Sequence, residues 1–269
     1  MKVSIGCDPE FFLWNTETKR YEGAHDAQVP GTKQKPYKLE VGSVQIDGTA
    51  VEFGIDPADS AYEFSYNINR TLEEIRTMID GKYEFHYNPV VKYPTSYWDS
   101  IPKSYKELGC DPDFSAGSIQ YVPNTAPKIP ETLRTGSGHV HIGWGKDIPL
   151  TGSHFWDCAN LCLEFSRILN NVRYVWDGNT ERSYYYKSDA YRPKSYGVEY
   201  RGMSNAWLKY PNLWPWVFEV SKSIFQNFLD GKRVDPNARW YHSRSLVEAN
   251  KYLKSSGLPL LSEKHLKVA

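Results

Sequence analysis

Val44-Gln45-Ile46-Asp47-Gly48-Thr49-Ala50-Val51-Glu52-Phe53-Gly54-Ile55 contains two alternating runs that meet at Asp47-Gly48. An Asp-Gly pair between apolar alternations favours a tight two-residue hairpin turn, because glycine takes a positive φ without a Cβ clash. Two strands, Val44 to Ile46 and Ala50 to Ile55, are therefore predicted around that turn. Val3 to Trp14 reads as a strand before it. Antiparallel sheet is thus expected early in the chain.

Helical signals follow. Ser60 with Glu63 three residues on is a capping-box pattern, and Ala61, Phe64, Ile68, Leu72, Ile75 and Ile79 recur at spacings of three and four up to Gly81. Tyr83 to Val91 alternates as a strand does, and Pro, Gly, Asn and Asp crowd 94–130, too long a stretch for an idle loop in a compact domain. Period two returns at His139 to Trp144 and at Tyr196 to Met203, with a helical period between them from Phe155 to Val172. Asn212 is placed to cap a helix with Pro215 in its first turn, inner positions Val217, Val220, Ile224 and Phe228, and Gly231 as its stop. A shorter helix is expected around Ser245 to Lys254, ending near Gly257. Hairpins interleaved with long helices, with no repeat and no linker-like shift in composition, predict one α+β domain over 1–269. Its antiparallel sheet is covered by helices on one face and free to hold ligands on the other. The segment of about 230–269 has no assigned role.

Composition excludes several classes. Lys+Arg and Asp+Glu each number 32 in 269 residues, so no basic excess points to nucleic acid or an anionic membrane, and any anionic ligand must be held by a local cluster. No run approaches the ~18 apolar residues of a membrane-spanning helix, and the opening residues lack the apolar core of a signal peptide, so a cytoplasmic protein is expected. Four cysteines, Cys7, Cys110, Cys158 and Cys162, are too few for a disulfide scaffold and read as buried thiols. The 15% aromatic content fits either a large aromatic core or a stacking surface.

Four constellations carry chemistry. In Gly6-Cys7-Asp8-Pro9-Glu10-Phe11-Phe12, alternation puts the carboxylates of Asp8 and Glu10 on one strand face, where like charges repel unless a cation lies between them. Glu52 sits inside an apolar strand, so a counter-cation or an arginine is expected beside it. His139 and His141 share a face within Arg134-Thr135-Gly136-Ser137-Gly138-His139-Val140-His141-Ile142-Gly143, a device common to metal and phosphate sites. In Tyr191-Arg192-Pro193-Lys194-Ser195-Tyr196-Gly197-Val198-Glu199-Tyr200-Arg201, three cations stand near one carboxylate. That is either a surface ion-pair network or a metal ligand beside a phosphate clamp, since carboxylate oxygens suit Mg²⁺ or Mn²⁺ and arginine grips phosphate bidentately.

Taken in order, the strand 6–12, the hairpin ending at Phe53, the run Gly109-Cys110-Asp111-Pro112-Asp113-Phe114, the run 136–143 and the run 191–201 resemble the tailed-phage carboxylate-amine ligases of the second type. Those belong to the glutamine-synthetase-like superfamily, and the likeness extends to about Trp207. The resemblance implies a curved antiparallel sheet like that of the glutamine synthetase catalytic domain, holding Mg²⁺ (or Mn²⁺) and ATP on its concave face. By it, Asp8, Glu10, Glu52, His139 and Glu199 would be metal ligands. His141, Arg192, Lys194, Tyr196 and Arg201 would contact the nucleotide, and Arg201, Glu52 and Glu199 would serve catalysis. The expected activity is formation of an amide or isopeptide bond from a carboxylate and an amine substrate through an acyl phosphate, in the cytoplasm of an infected cell if the chain is phage-encoded. Relatives usually carry a further carboxylate a few residues before the position of Glu52, for which Gln45 and Asp47 are the nearest candidates. Two other readings compete with the ligase: a metal-dependent hydrolase built on His139, His141 and Asp8, and an aromatic-rich binding module.

Overall fold

The computed structural model describes residues 3–107, 113–118, 123–124, 130–145, 153–179, 181–184, 187–234 and 242–268. In chain order its strands and helices are β1 (Val3–Cys7), β2 (Glu10–Asn15), β3 (Arg20–Glu22), β4 (Tyr37–Leu39), β5 (Gly42–Asp47), β6 (Ala50–Ile55), α1 (Ala61–Met78), β7 (Tyr83–His86), β8 (Val90–Lys92) and α2 (Thr95–Ser100). They continue with β9 (Phe114–Ser115), β10 (Leu133–Thr135), β11 (Val140–Trp144), α3 (His154–Val172), β12 (Ala190–Lys194), β13 (Gly197–Tyr200), α4 (Trp214–Leu229) and α5 (Leu246–Ser255). The class is α+β, with antiparallel sheets throughout the named ladders.

The single curved sheet that was expected is divided. One sheet runs β1-β11-β13-β12-β9, another β3-β2-β6-β5-β4 with β7 also on β2, and β10 pairs with β8. The cause is local. The stretch Val3 to Trp14 is not one strand but two, because the chain leaves the ladder at Asp8-Pro9, where proline has no N–H to donate. The break is pinned by Phe53 N–H donating to Pro9 O at 3.1 Å and Glu10 N–H donating to Ser137 O at 2.8 Å. Tyr83 to Val91 likewise divides into β7 and β8, which join different sheets.

Both large sheets present one apolar face to a common core. Ile5, Phe11, Val44, Val51, Phe53, Val140, Ile142 and Val198 are buried together with the inner residues of α1, α3 and α4, such as Phe64, Phe165 and Phe218. Because facing residues of an antiparallel pair share a face, the register also groups the polar positions. His141 faces both Gly6 and Glu199, Arg192 faces Glu199, and Glu52 faces both Glu10 and Gln45. These lie on the side away from the three helices.

The Asp-Gly hairpin forms, displaced by one residue. Asp47 pairs with Ala50, so the two loop residues are Gly48 and Thr49, and Gly48 alone is left-handed at φ 57°. Asp47 therefore ends β5 on the polar face with Gln45. Ser60 caps α1 by accepting from Glu63 N–H at 3.2 Å, and Ser245 caps α5 by accepting from Glu248 N–H at 3.2 Å. Asn212 does not cap α4; it lies in a short 3₁₀ turn, Pro211–Leu213, that leads into the helix. The segment after Asp230 joins the main core through Ala249 and Leu253. Cys7, Cys158 and Cys162 are buried and free, and Cys110 lies outside the described residues. Among the described residues no helix is long and apolar enough to cross a membrane.

Candidate functional site

Glu199 is the centre of one half of the polar face. On β13 it lies between His141 of β11 and Arg192 of β12, and no part of its side chain reaches solvent. Arg192 Nη1 approaches it at 3.1 Å and Lys194 Nζ at 2.8 Å, and Arg201 Nη1 closes on its other oxygen. Burial and the charge of Asp8 push the Glu199 carboxyl up, but His139, Arg201 and His141 outweigh them and hold it at about 2. Arg201 also donates through Nε to Asp113 Oδ2 at 3.1 Å, and Asn124 Nδ2 donates to Asp113 Oδ1 at 2.9 Å. The expectation that the region of 94–130 borders the site therefore holds for Asp113 and Asn124, while Asp111 lies outside the described residues.

Asp8 joins this half through two imidazoles. His139 Nδ1 lies 3.1 Å and His141 Nε2 2.9 Å from the same oxygen, Asp8 Oδ1. Burial raises the Asp8 carboxyl, yet the charges of His141 and His139 carry it well below the usual range. The imidazoles themselves diverge. Burial and the Arg201 guanidinium lower His139 to about 4. His141, despite burial, is raised by Asp8. Tyr196 places its hydroxyl 2.5 Å from His141 Nδ1. His139 Nε2 is buried and has no hydrogen-bond partner among the described residues.

Glu52 is the centre of the other half. It faces Glu10 across one ladder and Gln45 across the next, and Glu10, Asp47 and Glu52 each bring one oxygen to within 4.8 Å of the others. Gln45 Nε2 donates to Glu52 at 2.9 Å, and Ser137 N–H to Glu10 at 3.0 Å. Among the described residues no ion pair reaches Glu10 or Glu52, while Arg192, Lys194 and Arg201 all pair with Glu199. Burial, then the neighbouring charges of Asp8, Glu10 and Asp47, hold the Glu52 carboxyl well above its ordinary value. Glu10 rises to about 7 for the same reasons, burial first and then Asp47.

Several expectations change here. Asp8 and Glu10 do not share a strand face, because the Asp8-Pro9 break sends Asp8 to the imidazoles and Glu10 to Glu52. The arginine expected beside Glu52 is absent among the described residues, and a glutamine and two more carboxylates surround it. Asp47 belongs to this group, which strand parity shows once the loop is seen to be Gly48-Thr49. Asp8 raises the carboxyls of both Glu52 and Glu199 through its charge. A scan against protein-family models and a search of curated proteins return no match to this sequence.

Proposed function

We propose that this face belongs to an ATP- and Mg²⁺-dependent ligase that joins a carboxylate to an amine. The observation that carries the reading is the polarity of the face. Three carboxylates without an ion pair to Glu10 or Glu52 stand at one end, and three cations gathered on Glu199 stand at the other. A magnesium nucleotide has the matching polarity, a hard dication bound to a polyanion.

The residues fit the dication at the carboxylate end. Glu10, Asp47 and Glu52 offer hard oxygens at mutual ligand distance, and burial raises all three carboxyls, those of Glu10 and Glu52 further through neighbouring carboxylates. When bound, Mg²⁺ supplies neutralisation of the phosphoryl oxygens. The other expected ligands, Asp8, His139 and Glu199, are placed differently: Asp8 and Glu199 already have imidazole, guanidinium or ammonium neighbours, so a cation entering there displaces one of them.

Arg192, Lys194 and Arg201 would turn from Glu199 to the transferring phosphoryl oxygens, Arg201 doing so with the bidentate grip a lysine lacks. His141 and Tyr196 add two more polar groups beside them. The substrate carboxylate attacks the γ-phosphorus and ADP leaves. The amine nitrogen then attacks the acyl carbon of the resulting acyl phosphate, inorganic phosphate departs with the C–O electron pair, and the nitrogen loses a proton. Positioning and fixed charge do most of this work.

Titration calorimetry with ATP, with and without Mg²⁺, tests the reading. Binding that requires both supports it. Hydrolytic activity on an ester or amide in the absence of nucleotide overturns it in favour of a metal-dependent hydrolase on His139, His141 and Asp8.

A further inference from the structure

Beside Asp8 the polar face opens into a cavity of about 360 Å³, at the small end of the range of ligand pockets. Its floor is bare backbone, with Gly6 on β1, Gly54 on β6 and Gly143 on β11 all lining it. Glycine inside a strand is destabilising relative to alanine, so three such positions on one floor call for a reason. The fold does not supply it at two of them. A Cβ on Gly54 would meet nothing nearer than Ser43 Oγ at 3.5 Å, and one on Gly6 nothing nearer than His141 Cβ at 3.7 Å, both ordinary contacts. Neither residue has a positive φ. What a side chain at either position would occupy is the cavity.

The lining defines what enters. No lysine or arginine lines the cavity, and its titratable wall is Asp8 with His141 beside it, the imidazole Nε2 2.9 Å from Asp8 Oδ1. Asp8 Oδ1 is hydrogen-bonded to His139 Nδ1 and lies 2.9 Å from His141 Nε2, and among the described residues no hydrogen bond reaches Oδ2. Ile55 and Pro57 make the sides apolar, and Tyr196 stands at the margin.

We propose that this glycine-floored slot receives the amine substrate, a primary alkylammonium with an unbranched chain, its nitrogen donating to Asp8 Oδ2 and its methylenes lying on the backbone of Gly6 and Gly54. The proposal rests on the ligase reading for its role in the reaction and on the slot itself for the chemistry. A free alkylamine and a lysine side chain share that chemistry.

Ligand-observed NMR tests it with n-butylamine, tert-butylamine and Nα-acetyl-lysine methylamide as probes on the full chain. The expected result is binding of n-butylamine but not tert-butylamine, weakened tenfold or more in Gly54→Val and in Asp8→Asn. Thermal unfolding, and the milder Gly54→Ala, show that the loss is not misfolding. Tighter binding of the lysine derivative than of n-butylamine assigns a peptide or protein side chain, and the reverse assigns a free amine. No binding of any linear amine to the wild-type chain, or binding unchanged in Gly54→Val, overturns the slot. Calorimetry of the wild-type protein with Mg²⁺ and ATP separates the two failures. Nucleotide binding without amine binding removes the slot alone, and no nucleotide binding removes the ligase reading whatever the amine does.

Discussion

Glu52 and Glu199 occupy equivalent places in their sheets, each in the middle of a strand with a polar partner on either side. Yet the Glu52 carboxyl stands well above the ordinary range and the Glu199 carboxyl at about 2. Burial acts on both in the same direction. The difference lies in the neighbours: Asp8, Glu10 and Asp47 act on one, and His139, Arg201 and His141 on the other. Charge on this face is thus arranged in two opposed groups about 150 residues apart in sequence, and each residue's protonation follows from its group rather than from its type.

Removing Glu199 should have the largest effect. Glu199→Gln leaves Arg192, Lys194 and Arg201 gathered around an uncharged amide at a fully buried position, and breaking a buried pair from one side costs about 3–5 kcal/mol. Denaturant unfolding would read this as a lower midpoint at an unchanged slope. A loss under 1 kcal/mol would mean that the cations find other partners and that the contrast with Glu52 is one of geometry alone.

Arg201→Lys comes next and concerns turnover. It keeps the charge but loses the fork that reaches both Glu199 and Asp113. If the cations serve phosphoryl transfer, ADP release at saturating Mg²⁺ should fall on the order of 10²-fold, as for loss of one transition-state donor. Equal rates would confine Arg201 to structure.

At the Glu52 end the signs reverse. Its raised carboxyl means that the native state disfavours the anion, so this contribution to stability is present below about pH 4.5 and is lost as pH rises through the elevated value. His139 opposes it at lower pH: its value of about 4 means stability that is full above about pH 6.5 and lost as pH falls toward 4. A cation at Glu10, Asp47 and Glu52 would relieve the repulsion, so Mg²⁺ should raise Tm more at pH 8 than at pH 5. Glu52→Gln should stabilise the metal-free protein at pH 8 and remove most of that Mg²⁺ response. A Tm shift that is the same at both pH values would contradict the assignment of the cation to this end.

Asp113→Ala should be the mildest change. Its pair with Arg201 is largely buried, but Arg201 keeps Glu199 as a second partner, so the loss should be about 1 kcal/mol, that of one hydrogen bond. A larger loss of stability would move Asp113 into the group.

What the amino-acid sequence made legible was local. The cap at Ser60, the helix beginning near Ser245, the stops at Gly231 and Gly257 and the Asp-Gly hairpin depend on neighbours a few residues away and formed within a residue or two of the expected place, whereas the cap expected at Asn212 did not form. The cation cluster was readable for the same reason, since Arg192, Lys194, Glu199 and Arg201 fall within one hairpin. What was not readable depended on distant partners. Period two marks Val3 to Trp14 as extended but does not say that its two halves join different sheets. Nor does any pattern around Glu52 announce that Glu10, from another strand, will stand beside it in place of an arginine. Asp113 reaches Arg201 across 88 positions of chain, a contact that only the assembled sheet creates.

The two-residue passage at Asp8-Pro9 has a mechanical consequence. It is the shortest covalent tie between the sheet that carries the cations and the sheet that carries the carboxylates, and half of it is a ring whose φ cannot turn. With both flanking carbonyl and amide groups bonded to Phe53 and Ser137, the tie has almost no torsional freedom. The spacing between the two charge groups is therefore set as the chain folds rather than adjusted on ligand entry, and any closing movement over the face has to come from side chains or from segments beyond the sheets.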